Sequence, residues 1–348
     1  MKICLLGDVH LGVRNDSKTF HSYFDKFYTD VFFPYLVNNN IKTIIQLGDL
    51  FDRRKFINFY TLNESKRYFF EKLKDLDITM HVIIGNHDIF WREHLMVNSP
   101  ELLLENYKNI FSYTKPCNLV FGNLDIDLIP WICKDNEKEI EQFIKNSNSN
   151  ICIGHFEING FEMLRGIECH EGIDKSFLKK YKQVYSGHFH ISSRKGNIFY
   201  IGTPYELTWS DYGDKKGFYI LDTNTTELEF IENPLNIFTK IYYDDQKEIN
   251  YNVTDENKYI KVVVVNKKDH LMFDKFVDKL YKNDPTEIKI IEDLTEFETS
   301  TVDDNINLED TMTLLSEYVD GLETNADRQK LKTILKELFV EAHDHEET

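Results

Sequence analysis

Five short motifs along this chain carry side chains suited to metal and phosphate chemistry: Asp8-x-His10, Gly48-Asp49-x-x-Asp52-Arg53, Gly85-Asn86-His87-Asp88, Gly154-His155 and Gly187-His188-Phe189-His190. Each taken alone reads as ordinary structure. Asp8-Val9-His10 could be a capped turn, Gly48-Asp49 the start of a loop, Gly85 to Asp88 a tight turn and His155 a satisfied core histidine. Taken together they supply hard oxygen donors and imidazoles, with glycines where the backbone must turn sharply and let side chains converge. Such ligands, without thiolate, favour Mn²⁺, Fe²⁺ or Zn²⁺ over a structural cysteine-zinc site. The set is too dispersed for a zinc-finger-like site and suits a binuclear centre. A purely structural account would leave many polar groups at the ends of apolar strands without a shared purpose, and buried polar groups need partners.

The elements that must position these motifs follow from the apolar pattern. Residues 2–6, 43–47, 81–84, 151–153 and 184–185 read as strands, with helical patterns over about 18–37 and 59–76. This alternation predicts an α/β sandwich or doubly wound sheet. Asp8, Asp49, Asn86, His155 and His188 each stand at or just past a strand end, where open α/β sheets form their ligand crevice. Residues 198–201, 217–221, 227–231 and 239–243 read as strands without long helices between them, expected to form a second sheet of the same domain. Residues 259–265, 271–281 and 287–291 read as a small β-α-β unit.

The chain has 348 residues and a net charge of −18, which argues against a protein held to nucleic acid by bulk electrostatics. Basic clusters nevertheless stand at Arg53, Arg54 and Lys55, at Lys66 and Arg67, and at Lys179, Lys180 and Lys182. A nucleic-acid path, if the chain has one, should lie there. Five scattered cysteines read as reduced intracellular thiols, and no stretch reads as a signal peptide or a bilayer span, so a cytoplasmic location and no membrane contact are expected.

The ordered motifs resemble those of the calcineurin-like metallophosphoesterases over about the first two hundred residues. Within that superfamily the chain is most similar to the SbcD-type DNA double-strand-break-repair nucleases, in particular those of tailed phages. Ile129-Pro130-Trp131, the run from Gly154 to Phe161 and Tyr200-Ile201-Gly202-Thr203-Pro204 support this. The resemblance implies a two-sheet α/β/β/α sandwich over residues 1–243, a small α+β cap domain over 244–291 and C-terminal helices. It implies that Asp8, His10 and His190 hold one divalent metal ion, that Asn86, His155 and His188 hold the other, and that Asp49 bridges them. Mn is the expected metal, with Mg, Fe or Zn as alternatives. His87 would stabilise the phosphate and protonate the leaving oxygen, Asp52 would fix the His87 tautomer, and Arg53 would contact the phosphate or stand as a solvated surface arginine. Many cellular members of the nuclease branch carry a histidine where this chain has Asp52, whereas phosphoprotein phosphatases carry Asp followed by Arg, so this motif does not separate the branches.

Residues 292–305 are acidic and free of Lys and Arg, and read as a linker. Beyond it, over 306–342, Leu308, Met312, Leu315, Val319 and Leu322, then Leu331, Ile334, Leu335, Leu338 and Phe339, recur at helical spacing. By the resemblance this segment docks on the coiled-coil base of an SMC-like ABC-type ATPase. The enzyme would be a homodimer paired through the region 59–76 and segments up to about Glu105, and a Mn-dependent exonuclease and endonuclease on DNA, in a bacterial host cytoplasm if phage-encoded. A binuclear-metal phosphatase acting on phosphoproteins or nucleotides is the alternative enzyme reading. An inert DNA-end-binding scaffold is the alternative from another class.

Overall fold

The β-branched runs between the motifs form two six-stranded sheets packed face to face. A computed structural model describes residues 1–164, 166–247 and 258–292, together with 330, 332 and 334. In chain order the strands are β1 (Lys2–Leu6), β2 (Thr43–Gln46), β3 (Thr79–Ile83), β4 (Ile110–Tyr113), β5 (Cys117–Phe121), β6 (Leu124–Ile129), β7 (Ile151–His155), β8 (Glu162–Leu164) and β9 (Ile167–Glu168). They continue with β10 (Gln183–Gly187), β11 (Ser193–Lys195), β12 (Ile198–Tyr200), β13 (Gly217–Asp222), β14 (Leu228–Glu232), β15 (Phe238–Asp244), β16 (Tyr259–Asn266) and β17 (Glu287–Glu292). The first sheet runs β14-β13-β1-β2-β3-β4 and the second β11-β12-β10-β7-β6-β5. Strands β1 to β4 are mutually parallel, as are β6, β7, β10 and β12.

Alternation along each strand builds the layers. On β1, Ile3 and Leu5 face the second sheet and pack in one buried cluster with Ile126, Leu128, Ile151 and Ile153. Cys4 and Leu6 point the other way, into a cluster with Phe20, Phe24, Phe27 and Tyr28 from the outer helices. The helix Glu137–Asn146 covers the far face of the second sheet through Ile140 and Ile144. The layer order is therefore α/β/β/α, as the family resemblance implies. The segments 18–37 and 59–76 are helical as expected, but each contains a wider π-helical turn, Tyr28–Phe32 and Lys66–Phe70. These turns rotate bulky rings inward: Tyr28, Phe32, Tyr68, Phe69 and Phe70 are all buried, with the Tyr28 and Phe69 rings 4.4 Å apart.

Two expectations about the later strands need correction. Residues 217–221 and 227–231 were expected in a second sheet, yet β13 and β14 extend the first sheet, because β13 pairs antiparallel with β1. The 239–243 strand was placed in the catalytic domain, whereas β15 pairs in parallel with β16 in a three-stranded sheet β15-β16-β17. The strand β15 therefore belongs to this small α+β module from Phe238 on. Its core is Phe273, Phe276 and Leu280 of the helix His270–Tyr281 packed on Ile241, Tyr243, Ile260, Val262 and Val264. Met1–Ile291 forms one compact unit and Glu292–Thr348 another. The expected linker beyond Glu292, and most of the expected helical segment 306–342, lie outside the described residues; Lys330, Lys332 and Ile334 are helical. No helix among the described residues is long and apolar enough to cross a membrane.

Candidate metal centre

Because the strands carrying the motifs run parallel within each sheet, their C-terminal ends gather at one rim. β1 delivers Asp8 and His10, β2 delivers Asp49, β3 leads to Asn86 and His87, β7 ends in His155, and β10 leads to His188 and His190. His10, Asp49 and His188 all have positive φ, 49°, 53° and 89°. For residues with a Cβ this backbone is strained by on the order of 1 kcal/mol or more each, which the surrounding structure must hold in place. Close approach accounts for two glycines. A Cβ on Gly85 would lie 2.2 Å from Asp49 Oδ1, and one on Gly187 would lie 2.4 Å from Asp8 Oδ1.

The seven residues expected as metal ligands come together in two adjoining clusters. Donor atoms of Asp8, His10 and His190 lie within 4.8 Å of one another, as do those of Asp49, His155 and His188. His10 Nε2 and His190 Nε2 are 3.1 Å apart. Asn86 Oδ1 sits 2.9 Å from both His155 Nε2 and His188 Nδ1. Asp49 Oδ2 is 3.3 Å from His155 Nε2 and 3.8 Å from His10 Nε2, so one oxygen faces both clusters. Asp8 Oδ2 accepts a hydrogen bond from His188 N at 2.9 Å, while Asp8 Oδ1 is buried with no hydrogen-bond partner among the described residues. A buried carboxylate oxygen without a partner, convergent imidazoles and a shared carboxylate fit a pair of divalent cations.

The electrostatics agree. Burial pushes Asp8 up to about 7, aided by the neighbouring Asp49 charge and opposed by His155. Burial works against protonated His10 and His155, yet the Asp52 hydrogen bond and the Asp49 charge respectively lead in holding them up at about 9. Burial and the nearby His10 hold His190 down at about 3. The protons placed on Asp8, His10 and His155 are those that a cation displaces on binding.

A surrounding shell fixes the donors. His155 Nδ1 donates to Leu47 O at 2.8 Å, which turns Nε2 towards Asn86 and Asp49. Gln46, fully buried, clamps the Gly48 turn, donating to Gly48 O at 2.6 Å and accepting from Gly48 N at 3.1 Å. Asp88 joins two motif loops, accepting from Leu50 N at 3.0 Å, Phe51 N at 3.2 Å and Gly85 N at 2.9 Å. Trp131 flanks the imidazoles, its ring 5.1 Å from that of His188 and 5.8 Å from that of His155. The Gly-Asn-His-Asp and Ile-Pro-Trp runs were visible in the sequence, but these supporting roles were not.

His87 is half-buried, with its ring 4.8 Å from that of His10. Its Nδ1 donates to the backbone carbonyl of Asp52 at 2.7 Å, not to the Asp52 carboxylate expected from the sequence. That carboxylate faces His10 Nδ1 at 3.2 Å instead. The cause lies in the main chain: Asp52 N donates to Leu11 O, which lays the 51–52 segment along the Asp8–His10 loop and leaves the carbonyl to His87. Arg53, read as either a phosphate contact or a solvated surface arginine, is engaged by neighbouring side chains. Its guanidinium bonds Asn15, pairs with Asp16 at 3.2 Å and lies 4.9 Å over the Phe56 ring.

The basic clusters are likewise thinned by internal pairing. Arg67 bonds Glu64 and Asp25, and Lys180 donates to the carbonyls of Ile144 and Ser147. At the rim, Arg54 donates to Ile89 O at 3.3 Å beside exposed Lys55, next to the partly exposed rings of Phe90 and Trp91, 4.6 Å apart.

Comparison with known proteins accords with this site. The profile of the calcineurin-like phosphoesterases matches residues 1–192. The chain is 36% identical over 346 residues to "Exonuclease subunit 1" of Enterobacteria phage T4, covering 98% of this chain and 99% of the phage protein. Among solved structures, a novel archaeal phosphodiesterase is 14% identical with a TM-score of 0.34, covering 67% of this chain and 100% of its own. A glutamine-dependent NAD+ synthetase from Acinetobacter baumannii is 9% identical with a TM-score of 0.28, covering 97% and 72%. The sequence match over more than half the chain, together with the near full-length relative, establishes that the chain belongs to the calcineurin-like phosphoesterase family, whose members are metal-dependent phosphoesterases.

Proposed function

We propose that this chain is the nuclease subunit of a DNA-break-processing complex and hydrolyses DNA phosphodiesters at a two-metal site. The observation that carries the reading is the near full-length likeness to a phage exonuclease subunit, joined to a rim where every expected ligand converges. Asp8, His10 and His190 would hold one cation and Asn86, His155 and His188 the other, with Asp49 facing both sets through one oxygen. Mn²⁺ is the metal we expect. When bound, such ions acidify an attacking water and polarise the phosphate for in-line displacement.

His87 does the proton work. With Nδ1 donating to the Asp52 carbonyl, Nε2 is the nitrogen left to face substrate, and its protonated form can hydrogen-bond a phosphate oxygen and then give its proton to the leaving oxygen. Asp52 serves His10 through its carboxylate and His87 through its carbonyl, tying a candidate ligand and the acid to one short segment. Arg54, Lys55, Phe90 and Trp91 offer cations and stacking faces suited to a polynucleotide beside the site. The exposed Phe59 and Leu102 lie in the region assigned to pairing two copies. The partner subunit is read as an ABC-type ATPase docking on the segment after residue 305.

The test is hydrolysis of a linear duplex by purified protein with Mn²⁺, with Mg²⁺, with chelator and with His87→Ala, beside a phosphomonoester control. Manganese-dependent shortening of DNA that His87→Ala removes while metal stays bound is the expected result. Monoester turnover with intact DNA would move the protein to the phosphatase reading instead.

A further inference from the structure

His190 follows a turn out of β10, and its ring meets His10 across 3.1 Å. The aim of that ring depends on its main chain, which is held from outside the five motifs. The His190 carbonyl accepts from Lys216 Nζ at 2.9 Å and from Thr203 N at 3.3 Å. Gly202, with φ 70°, passes so near that a Cβ there would lie 2.8 Å from the same oxygen.

Lys216 precedes β13 in the first sheet, whereas His190 extends from the second, so this bond ties the two sheets together at the candidate ligand. The lysine is 5% exposed, and an ammonium so buried requires a counter-charge. Asp211 supplies it at 2.5 Å through Oδ1, while Asp211 Oδ2 accepts from Leu207 N and Thr208 N, each at 2.9 Å. The aspartate is thereby fixed in a capped turn, and the ammonium is fixed by the aspartate. A buried pair of this kind seldom stabilises a fold more than apolar side chains of equal size, so stability alone accounts poorly for it.

We propose that Lys216, oriented by Asp211, is a positioning residue for His190: its bond to the His190 carbonyl sets the backbone that aims the imidazole at the Asp8–His10 cluster. The inference rests on the reading of Asp8, His10 and His190 as metal ligands.

The experiment is calorimetric titration of the full chain with Mn²⁺, comparing wild type, K216R, K216M and the charge-neutral pair K216M/D211N, with thermal unfolding in chelator alongside. Wild type should take up two ions. K216M and the double variant should bind one of them on the order of 10-fold more weakly or worse, and K216R, which keeps a donor for the carbonyl, should stay close to wild type. The double variant leaves no uncompensated buried charge, so the question stays answerable if K216M alone does not fold. A merely structural pair would lower the unfolding midpoint in chelator and leave both affinities intact. That outcome, in either folded variant, overturns the proposal. Wild type taking up no Mn²⁺ would overturn the metal reading itself, and this inference with it.

Discussion

Gly187→Ala is the sharpest steric probe of the site. A Cβ at that position would stand 2.4 Å from Asp8 Oδ1, 2.6 Å from Leu47 O and 2.9 Å from His155 Nδ1. Ordinary contact begins near 3.4 Å, so Asp8 or the strand beneath it must retreat by the difference, 3.4 − 2.4, about 1 Å. Overpacking of this kind costs about 1–3 kcal/mol in stability, and a displacement of about 1 Å at reacting groups costs roughly 100-fold in rate. The assay is Mn²⁺-dependent cleavage of duplex DNA and of a small phosphodiester, with Mn²⁺ affinity and unfolding in chelator measured on the same preparation. We expect a rate about 100-fold down on both substrates and weakened metal binding. Gly160→Ala is the control: Gly160, unlike Gly187, has positive φ, 83°, which strains any side chain, but a Cβ there meets nothing within 4 Å, so activity should persist. Should Gly187→Ala keep more than about a tenth of the wild-type rate with unaltered Mn²⁺ affinity, the close approach of β10 to Asp8 would not be limiting and the reasoning would fail.

Two further outcomes follow from the described contacts and a third from the C-terminal sequence. Burial raises Glu206 from the usual 4.5 to about 7. Its folded form thus keeps a proton that the unfolded chain loses, so the stability it lends is full below about 4.5 and drains as pH rises through about 7. Glu206→Gln should flatten that slope by on the order of 3 kcal/mol, read from denaturant midpoints in chelator across this window, and parallel curves would refute it. Asp52→Ala removes the carboxylate partner of His10 and should weaken Mn²⁺ binding by about 10-fold, checked by calorimetry. Removing the segment from Leu308 onward should abolish ATPase binding in a pull-down while hydrolysis of a small phosphodiester continues; retained ATPase binding would sink the docking assignment.

The candidate site was more legible in the sequence than the sheets that build it. Asp8, Asp49, Asn86, His155 and His188 stand out because each lies at or just past an apolar strand run, where parallel strands share a C-terminal edge, and the resemblance of the ordered motifs to the metallophosphoesterases supplied the full ligand set with His10 and His190. Asp52 was misassigned because a motif gives residue types without saying whether a side chain or a carbonyl makes the contact; only the backbone bond from Asp52 to Leu11 decides that. Arg53 was open to misreading for a similar reason, since Asn15 and Asp16 owe their places to a left-handed turn, φ 56° and 61°, that no local pattern foretells. The π-helical turns escaped because their aromatic residues fit an ordinary helical period nearly as well. Strand pairing was the least legible layer. β13 looks no different from a second-sheet strand until its register, Lys2 opposite Asp222, assigns it to β1.

That same pairing bears on how the molecule is made. β1, which leads into Asp8 and His10, has β2 on one side, but its other neighbour is synthesised more than two hundred residues later. His190, facing His10 across 3.1 Å, also arrives late. Such long-range closures are slow and come after the local contacts on either side of them. A chain cut short before β10 therefore lacks His188 and His190, and one cut short before β13 carries every expected ligand on an incomplete first sheet. A hydrolase assembled in this order acquires its cutting power only when its catalytic body is whole.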